Sequence, residues 1–560
     1  MYVKKYYSTM TTIDLLKIDP IRLGGMPIAE HFAEKLGVLE AFATHVPADP
    51  RDKIAVPKTL FVALLNSIVE RFPLYKMGAW AHDRRLIESD VVKHLNDDRV
   101  GRGLDRLFKA DRAALLTDIV LRAIKVFDVD TSFVHNDSTT VTLNGNYDDY
   151  SNTKAAKPKR GHNKDHRPDL KQLVFSLSVT GDGAVPLYFK VWDGNTTDDR
   201  THIKNWMALR GLLGRADFTY VADSKLCTRE QLEFIASEGG FFVTVLPQTR
   251  AEDGRFKDWI QEHTPQWQEA IRRPDPKRKY APQHVYWTFE SPFLTAEGFR
   301  IIWIKSSQKE QQDASKRSDA IDRTVQDFTD ILQKSFKARE KLETIIEKIL
   351  AEHGTKKFFH YQIETFSDDQ FRQDKKGRPG PDTKYTRIEH KRYRFTFSHN
   401  QENIRYAARC DGIFPLTTNK IDPGSAILKI YKFQPRLERR FSQLKSVYDV
   451  APVFLKNPAR IEALLFLYFI ALLIDALIER SIRSAMKTEG LSSIPIYPED
   501  RACQSPTADK IYDLFRDVRL QTITVGNEKV RQIPDDLSDT QKLVLQLLKI
   551  KPAQYFQTRV

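Results

Sequence analysis

Cysteine is scarce in this sequence: Cys227, Cys410 and Cys503 are the only three in 560 residues. No two have metal-ligand spacing, and an odd, scattered set makes a poor disulfide framework. That excludes a disulfide-stapled secreted scaffold, and a reducing, intracellular compartment is expected. Long hydrophobic runs are missing as well. The longest, Ala463 to Ile474, is closed by Asp475, well short of the roughly 20 apolar residues a membrane-spanning helix needs. It reads as a helix buried all round, and no membrane partner is expected. The opening MYVKKYYSTMTTIDLL has no apolar h-region, so a secretory signal is not expected. The phosphate-binding loop GxxxxGK(S/T) is absent, so ATP use is not indicated. HExxH, paired CxxC and zinc-finger spacings are absent too, which argues against zinc. No Ser or Cys nucleophile motif stands out.

What is present is charge of one sign. The formal net charge is +14, which favours a polyanionic partner without specifying one. Hydrophobic residues make up 41%, enough to bury real cores. The length suits three or four domains.

Residues 1–127 read as helical, with apolar residues at helical spacing in 28–42, 59–72 and 111–127. Such a region suits DNA-end binding and dimerisation or packing equally. From Thr131 the pattern changes. TSFVHND (131–137), LKQLVFSLSVT (170–180) and LYFKVW (187–192) read as strands, the last two joined by a turn at GDGAVP. An amphipathic helix (202–213), a strand ending in an acid (FTYVADS, 218–224), a helix with a Thr N-cap (228–239) and an apolar strand (241–247) follow. The order is β-β-β-α-β-α-β. Residues 251–424 break it with several β-like runs and one long charged helix from about Arg317 to His353, as an inserted, mainly β domain would. Helices return over 425–490, and 491–560 reads as a helical tail suited to multimerisation.

Asp137 and Asp223 end the first and fourth strands. If those strands lie side by side, two carboxylates face each other. At ~4 Å they repel by roughly 4 kcal/mol at an effective dielectric of 20, so they stay ionised together only around a cation. Hard oxygen donors with room for water and phosphate suit Mg²⁺ or Mn²⁺, and two such ions suit in-line attack at phosphorus. A third acid, Glu438, sits in the basic stretch Tyr431 to Lys445. Taken singly, each aspartate also fits a turn or a helix cap.

Together these residues resemble the DDE transposases of bacterial insertion sequences. FVHNDSTTV, GHNKDHRPDLKQL (161–173), DGAVPL, GNTTD (194–198) and YVADS match their strands in order. Tyr431, Glu438 and Lys445 fall on the spacing of a Tyr-Arg-Glu-Lys signature, seven positions apart in each step, with Gln434 standing where the arginine belongs. The resemblance covers roughly residues 130–480. It implies an α/β fold with a ribonuclease H-like core in two parts, 128–250 and 425–490, interrupted by the β-rich insertion 251–424. The 215 positions between Asp223 and Glu438, against 86 between Asp137 and Asp223, leave room for that insertion.

The resemblance also implies a catalytic, metal-holding triad of Asp137, Asp223 and Glu438 with two Mg²⁺ (or Mn²⁺). The partners it implies are double-stranded DNA, as terminal inverted repeats and target, and other copies of the chain in a homodimer or larger assembly. The location it implies is bacterial cytoplasm, at the nucleoid. Tyr431, Gln434, Arg436, Arg439, Arg440, Lys445, Lys164 and Arg167 are the expected DNA contacts. Pro435 belongs in the first turn of Glu438's helix, which puts Tyr431 before it and Lys445 two turns beyond the glutamate on the same face.

Other basic stretches, Lys154–Lys171, Arg272–Lys279 and Lys384–Phe395, fit phosphate contacts or solvated faces. Trp287 and Trp303 fit base stacking or a strand core. His135, Asn136, His162 and His166 lie near the triad in sequence. The expected function is transposition: hydrolysis at element ends, then joining of the 3′-hydroxyl to target DNA. A nuclease that does not join, or a non-catalytic DNA-binding descendant, are the alternatives.

Overall fold

The structure is a computed structural model that describes residues 16–147, 154–274, 282–448, 455–525 and 528–557. The opening residues MYVKKYYSTMTTIDL, and Asp275 to Lys279 of one basic stretch, lie outside the described residues. The chain forms two compact units: Met1–Thr244 with Ile430–Val560, and Val245–Lys429.

The first unit opens with a strand, β1 (Leu16–Arg22), followed by α1 (Met26–Lys35), α2 (Val38–His45), α3 (Val56–Val69), α4 (Met77–Asp83), α5 (Asp97–Lys109) and α6 (Arg112–Phe127). The apolar period over 28–42 is continuous in sequence, yet two helices form there. Gly37 stands at φ 60, a left-handed conformation that ends α1 and starts α2 on a new axis. The Asn96 and Asp111 side chains accept from Arg99 N (2.9 Å) and Ala114 N (3.0 Å), capping α5 and α6.

After α6 come β2 (Phe133–Leu143), β3 (Lys171–Thr180), β4 (Pro186–Trp192), α7 (His202–Leu213), β5 (Thr219–Val221), α8 (Arg229–Ser237) and β6 (Phe241–Val245). The expected order β-β-β-α-β-α-β is the observed one. Across the sheet the strands run β4-β3-β2-β5-β6. β2, β3 and β4 pair antiparallel, whereas β5 pairs parallel to both β2 and β6. β2 is longer than expected and runs six residues past Asp137, because Ser138 to Leu143 continue the ladder with β3.

The second unit holds α9 (Ala251–Glu262), β7 (Gln268–Arg273), β8 (His284–Glu290), β9 (Arg300–Ser306), α10 (Ser307–Leu332), α11 (Arg339–His353), β10 (Phe359–Gln373), β11 (Tyr385–His399), α12 (Gln401–Arg409) and β12 (Ile413–Thr418). Its helices are as prominent as its strands, so "mainly β" understates it. The expected single charged helix is two. They pack on each other and on a ribbon of β10 and β11, around a core of Phe328, Leu342, Ile346, Leu350, Phe359 and Phe395. An unbroken helix could not fold back to bury both apolar stripes. Trp303 belongs to a second core here: it is fully buried and stacked on Phe256 at 3.7 Å between ring centroids. Trp287 is half-buried on β8.

The chain returns through α13 (Gly424–Tyr431), α14 (Gln434–Ser442) and a short π-helical turn (Gln443–Val447) to α15 (Pro458–Thr488). α15 has 31 residues. Among the described residues it is the one helix long and apolar enough to cross a membrane, but 83% of its apolar window is buried in the fold. It packs on α1, α3, α5 and β4 and forms the spine of the first unit. The expected wholly helical tail is corrected. α16 (Ala508–Phe515) is followed by β13 (Arg519–Val525) and β14 (Glu528–Pro534), then α17 (Asp539–Leu547) and α18 (Pro552–Tyr555). β13 pairs antiparallel with both β1 and β14, so the two ends of the chain share a three-stranded sheet.

Candidate active site

Parallel pairing of β2 with β5 decides the geometry. His135 lies opposite Val221, so Asp137 and Asp223 follow two residues further along neighbouring strands. Asp223 leaves the strand and caps the turn Ser224–Leu226, its carboxylate accepting from Lys225 N at 3.0 Å. Asp137, mid-strand, accepts from Ser138 N at 2.7 Å. Burial pushes the Asp137 carboxyl up to about 6; Lys164 and the Ser138 N–H oppose this, and the charges of Asp223 and Asp198 add to it. Burial also raises the Asp223 carboxyl, against its Lys225 N–H bond and with Asp198 adding. Two carboxylates held half-buried beside each other are poorly neutralised, which is the chemistry that attracts a hard cation.

Asp198 is a third acid beside them that the sequence reading left out of the site, although GNTTD contains it. Ser138 Oγ donates to its carboxylate. The Lys164 ammonium lies 3.7 Å from Asp137 and 3.6 Å from Asp198 and donates to Ser138 O at 2.6 Å. Two motifs are tied to make this cluster. The 161–173 segment docks on β2 through Lys164 N to Thr140 Oγ1 (3.1 Å) and Asn163 Nδ2 to Thr142 Oγ1 (3.3 Å). Gln172 Nε2 then donates to Gly194 O at 2.7 Å and to His162 O at 3.3 Å. Gly194 must be glycine, since a Cβ there would stand 1.9 Å from Gln172 O and 2.4 Å from Lys159 O.

The 431–445 stretch approaches from the other side. Pro435 occupies the first turn of α14, as expected. Tyr431 ends the preceding helix, α13. Burial raises its phenol to about 12, and the charges of Asp223, Glu438 and Asp137 all add to the shift, so one side chain feels all three acids. Glu438 is exposed on α14. Among the described residues, no three His, Cys, Asp or Glu side chains are close enough together to hold a metal ion. The donors Asp137 and Asp223 fit Mg²⁺ or Mn²⁺ in kind and in their placement side by side, and Glu438 does not complete a three-carboxylate group with them.

Gln434 points inward. It is buried, with Oε1 3.3 Å from His135 Nδ1. His135 is itself fully buried against Phe433 and held neutral near pH 7, since burial lowers it to about 4 despite the Gln434 contact. Arg440 is buried and donates to Ala184 O (3.1 Å) and Gly183 O (3.1 Å) while pairing with Glu479 (3.0 Å). Arg436 and Arg439 are exposed, Arg436 over the Phe433 ring at 4.8 Å. Arg167 pairs with Asp169 (2.7 Å) at the surface. Lys445 pairs with Asp165 at 2.6 Å. It sits in the π-helical turn Gln443–Val447 rather than in the α-helix that carries Glu438. Asn136 turns into the sheet and donates to Ser178 Oγ at 2.8 Å, whereas His162 and His166 are exposed.

Residues 20–121 match the family described as "Domain of unknown function (DUF4277)", a domain found in transposase-like proteins. The match spans the helices ahead of β2 and contains none of the acids above. No curated protein matches the chain.

Proposed function

We propose that this chain is a DNA transposase of the DDE type with a ribonuclease H-like core, cutting element ends and joining the 3′-hydroxyl to target DNA. The observation that carries the reading is strand register: β5 pairs parallel to β2, which sets Asp137 and Asp223, 86 positions apart in sequence, side by side. Tyr431, from the stretch that carries Glu438, feels the charge of both aspartates and of the glutamate. The match of residues 20–121 to a domain of transposase-like proteins points the same way.

Asp137 and Asp223 are the residues that would hold Mg²⁺ or Mn²⁺, and Glu438 is the carboxylate that would have to join them for a complete triad; such ions, when bound, would activate a water or 3′-hydroxyl and stabilise the leaving oxygen. The chain's own contribution is placement. Strand register fixes the two aspartates, and Lys164 restrains Asp137 against Asp198. Exposed Arg436 and Arg439 offer phosphate contacts beside Glu438. DNA ends would be paired by a homodimer or larger assembly at the bacterial nucleoid.

The test is Mg²⁺-dependent cleavage of DNA from the flanks of the gene. Asp137→Ala, Asp223→Ala and Glu438→Ala should each abolish it, and undiminished cutting would sink the assignment. Cleavage without a strand-transfer product would reduce the reading to a nuclease. A second reading, DNA binding without catalysis, is favoured by one observation: among the described residues no three acids close on a metal-sized space, while the Lys164 ammonium stands against Asp137 and Asp198. DNA binding with no cutting in either Mg²⁺ or Mn²⁺ would select it.

A further inference from the structure

The side of α14 that carries Arg436, Arg439 and Arg440 lines a cavity of about 320 Å³ that Glu438 does not line. Arg483 of α15 forms another wall, and the β3–β4 turn at Gly183 and Ala184 closes it. Four guanidiniums therefore converge on one space. Two carboxylates reach it, and both are engaged. Asp509 pairs with Arg71 at 3.1 Å. Glu479, itself buried, is shared between Arg440 (3.0 Å) and Arg483 (3.4 Å) and also accepts from Ala508 N at 3.2 Å. One carboxylate shared by two guanidiniums, Arg440 buried and Arg483 half-buried, leaves positive charge in excess before Arg436 and Arg439 are counted.

The mutual repulsion registers on Arg483. Burial lowers its pKa, Glu479 opposes that, and Arg440, Arg436 and Arg439 lower it further. Arg440 and Arg483 are held rigidly: Arg440 by backbone carbonyls at Gly183 and Ala184, Arg483 by Pro506 O at 2.7 and 3.1 Å. Arg439 has no ion pair among the described residues. The walls add Ser505 and Thr507, while the lining Ser442 and Ser446 hydroxyls donate to Glu438 O and Ser442 O within the helical turns. Fixed guanidinium forks with hydroxyl donors around them suit a multiply charged tetrahedral oxyanion better than a single carboxylate.

We propose that this cavity binds a phosphate group, presented by a nucleic-acid backbone or as free phosphate. The inference is independent of the cleavage reading, because it is tested without a divalent metal and without cutting. The full chain is titrated in EDTA with inorganic phosphate against sodium chloride at equal ionic strength, following the unfolding temperature. A parallel arm follows anisotropy of a labelled DNA duplex across a salt series. Arg439→Glu, an exposed substitution that should leave folding intact in chloride, is expected to weaken phosphate stabilisation about tenfold or more. Arg439→Ala is expected to reduce the slope of log affinity on log salt by about 0.9, one phosphate contact. Arg483→Gln serves as a second variant at the wall. A phosphate effect alone assigns free phosphate, and a slope change alone assigns the DNA backbone. If wild type, Arg439→Glu and Arg483→Gln respond identically in both arms, the proposal is overturned.

Discussion

Replacing Asp137 by asparagine should stabilise the protein at neutral pH. The Asp137 carboxyl titrates at about 6 in the fold, against an ordinary value of 3.8. The native state thus holds its proton more tightly than the unfolded chain does. Its contribution is neutral below about pH 4, turns unfavourable as pH rises to about 6, and stays constant above that. A difference of about two pH units corresponds to about 3 kcal/mol of lost stability at pH 8. At pH 5, where the unfolded aspartate is ionised and the native one mostly is not, about half of that is lost. Asparagine keeps the shape and the acceptor for Ser138 N, and removes the charge from beside Asp223 and Asp198. The urea midpoint of Asp137→Asn should therefore exceed wild type at pH 8 and by about half as much at pH 5, with no divalent metal present. A variant less stable than wild type at pH 8, or a gain independent of pH, would refute the reasoning. A residue that destabilises its own fold at working pH is the trade expected of a functional site.

Three further outcomes follow from the same structure. Lys164→Met removes the ammonium 3.7 Å from Asp137; the pair is worth about 1 kcal/mol in a water-like medium and about 4 at a dielectric of 20, and partial exposure favours the low end. The Asp137 carboxyl, followed by carbon NMR against Asp137→Asn, should then titrate about one unit higher. Gly194→Ala forces a Cβ onto Gln172 O and Lys159 O and should cost about 1–3 kcal/mol or more in urea unfolding, lowering cleavage with it by moving Asp198. Tyr512→Phe removes the hydroxyl that donates to Asp475 at 2.8 Å inside the helical core. Asp475 already titrates at about 7 through burial, against the help of Tyr448 and Tyr512. Losing one donor should destabilise by about 1–3 kcal/mol, more at pH 9 than at pH 6 where the acid is protonated.

Local pattern made the core strands legible. β3 and β4 were visible because alternation and a tight turn are short-range signals, and Pro435 marked its helix because a missing N–H and a fixed φ act within one turn. The break between α10 and α11 was not legible, since both halves carry the same charged, amphipathic pattern and only packing on β10–β11 says where the chain must fold back. Strand β13 was missed for a related reason: its partner β1 lies some 500 residues away, and pairing at that distance leaves no local mark; β14 then adds to β13 as a local antiparallel neighbour. Lys164 read as a DNA contact because its charge is visible in sequence and its two acidic neighbours are not.

The sequence by itself determined the order of elements in the core, the acids at Asp137, Asp223 and Glu438, and the basic character of the stretch around the glutamate. Periodicity, turn chemistry and charge are written residue by residue, so these survive without a fold. Tertiary structure alone decided that β5 lies parallel to β2, that Asp198 and Lys164 join the aspartates, that Gln434 faces His135, and that Arg440 turns inward to Glu479 while Arg439 stays outside. Those outcomes depend on which distant groups share a buried space, where desolvation sets the energy of each charge, and no stretch of sequence carries that information alone.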